Sequence, residues 1–278
     1  MRTAPASALR ALPFLWGALG SALAFVVIYL VFVRSYMGQV VDETAFTGAD
    51  RWKGDSLAFA HAFLNALPVV SVVLACIVAV VIVLVRRNWR VFFVAVAAAA
   101  LANGSTQLLK YTILSRPEKG VDAGLSNSLP SGHTTVAASA ALVVFLLASP
   151  RLRPLAAVVG SLFAIAAGAS TLVEQWHRPS DVIAGLLVVS FWGSLAGVVL
   201  AWIRARTVSD PPNSRLWALV CIAVVCGIGG AAALAVTYFA ATNGTTHFFI
   251  AYAGGIAAIA AVGFTLAVVG NRLFRALA

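Results

Sequence analysis

The chain has 278 residues, 62% of them apolar and only 10% charged, with a formal net charge of +10. Soluble domains run near 45–50% apolar and about 25% charged, so this composition excludes an ordinary soluble enzyme and turns much of the apolar surface towards lipid. Nucleic acid, which such a charge would suggest for a soluble chain, is excluded with it, and the basic residues have to be read by side of the membrane.

A helix needs about 20 apolar residues to cross the hydrocarbon core. Eight stretches qualify, at about 13–33, 68–85, 91–113, 134–149, 155–173, 182–203, 216–239 and 248–270. Their length without alternation excludes a barrel, and no repeat or linker divides them. The expected fold class is all-α, a polytopic membrane helix bundle. Arg2 and Arg10 precede the first stretch, which is too long for a signal-peptide core and lacks a cleavage site, so it reads as a retained span. Cys76, Cys221 and Cys226 all lie within apolar runs without zinc spacing, and read as small packing residues.

With the amino terminus in the cytoplasm, twelve of the nineteen basic residues fall inside: Arg2, Arg10, Arg86, Arg87, Arg90, Arg151, Arg153, Arg204, Arg206, Arg215, Arg272 and Arg275. That bias places both termini in the cytoplasm. All acids except Asp210 and all four histidines then fall outside, so the chemistry is expected there. The longest loop, 34–67, carries Leu57, Ala60, Leu64 and Leu67 at helical spacing. They fit either an interfacial amphipathic helix or an ordinary packed one.

Charge within a span costs about 2.5–3.5 kcal/mol at a helix centre. In the third stretch Asn103, Gln107 and Lys110 form one polar stripe. Lys110 on its own would fit a side chain snorkelling to the interface, but the stripe beneath it favours a polar cavity. Arg116-Pro117 follows, and after twelve intervening residues comes Pro130-Ser131-Gly132-His133 at the start of the next stretch. A turn opening into a helix exposes amides that suit an anion, with the Ser131 hydroxyl beside them. His133 either stands at that anion or merely caps the helix. Forty-three residues separate His133 from His177, two crossings away and so back on the same face. Pro179 suits the first turn of the helix that follows, and Asp181, four residues after His177, can orient its imidazole.

Lys110…Arg116-Pro117, Pro130-Ser131-Gly132-His133 and Ser170…His177…Asp181 resemble the three signature blocks of the type 2 phosphatidic acid phosphatase (PAP2) superfamily, over about residues 11–203. The resemblance implies a six-helix catalytic core in 1–203, with two further transmembrane helices in 204–278. It implies His177 as nucleophile, Asp181 as its partner, and His133 as the acid that protonates the leaving oxygen and then helps activate water. Lys110, Arg116, Ser131 and the Gly132 amide would hold the phosphate, with no metal and no cofactor.

The implied function is hydrolysis of a lipid phosphate or diphosphate at the outer leaflet of a bacterial plasma membrane. An isoprenoid diphosphate is the first choice, ahead of phosphatidate-like and phosphatidylglycerophosphate-like lipids. A phosphotransferase using the same phosphohistidine and a silent lipid-phosphate binder or transporter are the alternatives.

Two features depart from the pattern. Five residues rather than six separate Lys110 from Arg116, and Thr171 stands where the third block has arginine. Arg178 is the proposed replacement, unless it is a loop arginine that contacts nothing. In the last two helices, Cys226-Gly227-Ile228-Gly229-Gly230 and Ala253-Gly254-Gly255 are small-residue faces. They suit a lipid-access groove or a contact between protomers of a homo-oligomer. His247 reads as an interfacial loop residue.

Overall fold

A computed structural model describes residues 6–50, 66, 70, 73–74, 76–78, 80–121, 126–203, 216–275 and 277. The regular structure among them is entirely helical. Helix α1 (Ala6–Ile28) continues into a π turn, Tyr29–Val33, and α2 is Tyr36–Asp50. Helix α3 is Cys76–Arg86. Helix α4 (Trp89–Leu108) also ends in a π turn, Leu109–Ile113. Then follow α5 (Gly132–Leu147), α6 (Arg153–Val173), α7 (Pro179–Ile203), α8 (Trp217–Thr242) and α9 (Phe248–Arg275).

Six helical segments among the described residues are long and apolar enough to cross a membrane: Leu9–Val33, Trp89–Ile113, Arg153–Val173, Pro179–Ile203, Trp217–Thr242 and Phe248–Arg275. The chain is a multi-pass helix bundle. The fourth expected span is shorter than the others. Helix α5 has 16 residues, about 24 Å against a core of about 30 Å. It begins at the Ser131 cap and packs against α4, α6 and α7. Of the second expected span, residues 70, 73 and 74 and helix α3 are described. The proposed helix at 57–67 lies outside the described residues apart from residue 66.

The loop expected from residue 34 onward instead opens with α2, fifteen residues long. No apolar run marks this helix, because it buries polar groups: Gln39, Asp42 and Thr44 lie among Val41, Ala45 and Ala49. The reversal from α1 into α2 brings Gly38 against the carbonyl of Val31, where a side chain would not fit.

The most buried span is α7, which is held by α1, α4, α5, α6 and α9. At its carboxyl end Phe14 of α1 fills the space left by Gly197 and meets the Phe274 ring at 4.9 Å. At that same end Arg153 donates to the Phe274 carbonyl at 3.0 Å. Helix α8 pairs with α9, and α9 packs on α2, α6 and α7, so the last two helices extend one bundle. The opposite end of α7 carries the site.

Candidate active site

The third block is shaped by how α6 stops and α7 starts. Gln175 takes φ +57, and the Trp176 and His177 amides turn back to the Thr171 carbonyl at 2.9 and 3.2 Å. This left-handed stop throws His177 back over the bundle. Arg178 then caps α7, ahead of Pro179 in the first turn. Asp181 reaches back as half of a capping box, its Oδ2 accepting the Arg178 amide at 3.0 Å and lying 3.4 Å from His177 Nδ1. An acceptor-only carboxylate keeps the imidazole hydrogen on Nδ1 and leaves the Nε2 lone pair free. His177 and Asp181 are buried, at 5% and 0% exposure.

The middle block meets this pair through close backbone contacts. The Ser131 amide donates to the Asp181 carbonyl at 2.9 Å. A Cβ on Gly185 would lie 3.0 Å from the Ser131 carbonyl, so glycine lets α7 approach the start of α5. The Ser131 hydroxyl points inward and accepts from the Thr134 amide and hydroxyl at 3.3 and 2.9 Å. It is therefore engaged as a helix cap. The first α5 amides, those of Gly132 and His133, have no acceptor within the helix. His133 stacks near Trp176 at 5.0 Å and faces His177 across 6.4 Å between ring centroids.

The first block closes the ring. Asn103 donates to Ser139 of α5 at 3.1 Å, so the polar stripe of α4 faces α5. Lys110 follows in the π turn, within electrostatic reach of His133, its Nζ 5.6 Å from the Tyr111 ring centroid. Leu114 is then extended, with ψ 143. The chain has left the helix, and Arg116 folds back to 8% exposure. Its Nη2 is buried without a hydrogen-bond partner among the described residues. Burial, and secondarily the charge of Arg178, hold the Arg116 guanidinium below its ordinary pKa, opposed by Asp42, Asp181 and Glu43.

A buried guanidinium with one nitrogen unpartnered among the described residues, helix-start amides and two neighbouring imidazoles make an arrangement able to hold an anion beside acid–base groups. The PAP2 superfamily model matches residues 92–210. The match supports membership of the PAP2 superfamily. Neither the curated proteins nor the solved structures contain a match to it. PAP2 membership implies phosphatase-type activity on phosphate esters. The match begins inside α4, so it is narrower than the 11–203 resemblance and leaves out α1 and α2.

Sequence reasoning missed what α2 brings to this site. Asp42 accepts the Ser180 amide at 3.1 Å and the Ser180 hydroxyl at 2.5 Å. Glu43 holds Arg178 Nε at 2.7 Å, and Gln39 donates to the Pro117 carbonyl at 2.9 Å. The available signal was Gln39, Asp42 and Glu43 at i, i+3 and i+4, one polar face just before the loop. Thr171 is fully buried, its hydroxyl bonded to the Gly168 carbonyl at 2.7 Å, so it presents no charge.

Burial, and secondarily the negative Asp181, push the Asp42 carboxyl from 3.8 up to about 7, against the Ser180 bonds and Arg178. The folded protein therefore binds a proton that the unfolded chain has released. The stability tied to it is complete below the unfolded value and is lost as pH rises through the folded one. Between about pH 5 and about pH 8 the thermal midpoint in detergent should fall, and Asp42→Asn should flatten that fall. Equal falls in both proteins would assign the effect to other groups.

Proposed function

We propose that this PAP2 protein hydrolyses a lipid phosphate or diphosphate through a phosphohistidine on His177. The observation that carries the reading is the pair of imidazoles 6.4 Å apart, close enough to touch one phosphoryl group from two sides, beside the unpartnered Arg116. Nε2 of His177 attacks phosphorus as the bond to the leaving oxygen breaks, and His133 supplies that oxygen with a proton. His133 then takes a proton from water, whose oxygen attacks the phosphohistidine and releases phosphate. Asp181 stabilises the imidazolium that forms at His177. Lys110, Arg116 and the Gly132 amide neutralise the equatorial oxygens, where charge gathers in such displacements.

A lipid substrate is supported by the position of the site at one end of membrane-crossing helices, near headgroup depth. An isoprenoid diphosphate remains the first choice, and the excess of arginine at the other end supports an extracytoplasmic site in a bacterial plasma membrane. With charge neutralised by side chains, the reaction needs no divalent ion. The test is phosphate release by purified protein in detergent from isoprenoid diphosphate, phosphatidate and phosphatidylglycerophosphate. Release should be undiminished by chelator and inhibited by vanadate. Activity that vanishes on chelation and returns with a divalent ion would overturn the metal-free mechanism, and release from none of these lipids would overturn the substrate class.

A further inference from the structure

The polar face of α2 ties together segments that lie far apart in sequence. Gln39 is buried and bridges the Val33 and Pro117 carbonyls at 2.7 and 2.9 Å, fixing the chain directly after Arg116. Asp42 caps the start of α7 through Ser180, next to Asp181. Glu43 binds Arg178 Nε at 2.7 Å, while Arg178 Nη1 donates to Ser128 at 3.1 Å. The ring of Phe46, one turn further along α2, lies 5.1 Å from the same guanidinium. Arg178 is thereby fixed by a carboxylate, a hydroxyl and an aromatic face, and is 6% exposed.

A flexible loop arginine would not need this much fixing. Bidentate anion binding requires a guanidinium held in one plane, and Glu43 and Phe46 supply that plane. The Arg178 and Arg116 guanidinium groups are close enough to repel each other electrostatically. An anion between them would relieve that repulsion. Thr171, where the family has its third-block arginine, is buried and uncharged.

We propose that Glu43 is a positioning residue: it aims Arg178 at the phosphate, and the Glu43–Arg178 pair, built on a helix outside the family match, supplies the contact absent at Thr171. The proposal rests on the phosphatase reading above. Glu43 touches no substrate and acts only through Arg178.

The test uses the full-length chain in detergent, with two readouts for each variant: kcat and KM for the best lipid phosphate, and the orthovanadate concentration that half-maximally raises the thermal midpoint. Arg178→Ala should lower kcat/KM at least about tenfold and weaken vanadate binding to a similar degree. Glu43→Gln should do nearly the same with an unchanged ligand-free midpoint, and Glu43→Asp should recover much of the loss. Because Glu43 acts through Arg178, Glu43→Gln combined with Arg178→Ala should be within about twofold of Arg178→Ala alone.

Losses that multiply in the double variant would overturn the proposal, as would vanadate binding within about twofold of wild type in Glu43→Gln. Should Glu43→Gln fail to fold, Arg178→Lys keeps the charge without the fork and must show the same weakened vanadate binding; wild-type binding there would overturn the proposal. Vanadate coupling without turnover of any lipid would sink the substrate reading and leave the positioning role standing.

Discussion

Replacing His177 by alanine should bring phosphate release down to background while the bundle stays folded. In the proposed mechanism His177 carries the covalent step, and removing such a group typically costs on the order of 10⁴–10⁶ in kcat. No neighbour can take over. His133 faces the same space but lacks the Asp181 carboxylate that holds His177 at 3.4 Å. The fold should tolerate the change, because Asp181 keeps the Arg178 amide at 3.0 Å and the Ser131 amide still reaches the Asp181 carbonyl. Asp181→Asn should also be severely slowed, since in the proposed mechanism it removes the charge that stabilises the imidazolium. The measurements are steady-state phosphate release and the thermal midpoint. Near-wild-type turnover in a folded His177→Ala protein would end the phosphohistidine mechanism.

His133→Ala should produce the second largest loss, about 10²–10⁴-fold on a lipid phosphate. An alkoxide is a poor leaving group and needs a proton, which in the proposed mechanism comes from His133. An aryl phosphate with an acidic phenol does not, so its first step should survive while the second, water attack on the phosphohistidine, stays slow. The variant should therefore release a burst of phenol close to one equivalent per protein and then turn over slowly. A uniform loss on both substrates, with no burst, would remove His133 as the acid.

The parts of this site that could be read from sequence are those set by local spacing. His177 and Asp181 are one helical turn apart, and the Asn103–Gln107–Lys110 stripe follows the helix period, so both were legible without a structure. The Lys110–Arg116 spacing was legible only as an anomaly. Its physical answer is a π turn over Leu109–Ile113 followed by an extended Leu114, after which Arg116 returns to the bundle. Gly132 opens α5 as expected, but the Ser131 hydroxyl turns inward to cap it, since a helix start needs an acceptor for its own amides as much as an anion does.

The contribution of α2 was not legible. Glu43 meets Arg178 across 135 residues, and Asp42 meets Ser180 across 138. Nothing in a one-dimensional pattern links such residues. Hydropathy also passes over a helix that buries its polar groups, so the fold was legible in its apolar spans and silent where a polar helix was packed between them.

The contact between Gly255 and the start of α7 has a consequence for how the protein is made. A Cβ at Gly255 would lie 2.7 Å from the Pro179 ring and 3.6 Å from Ala45, so α9 backs both α7 and α2 at the point where the third block turns. During synthesis both histidines leave the ribosome long before that helix does. Until then α2 has α6, α7 and α8 beside it but lacks α9, the helix it packs against most extensively. The groups that α2 brings to the site are therefore fully backed only once the last helix is in place.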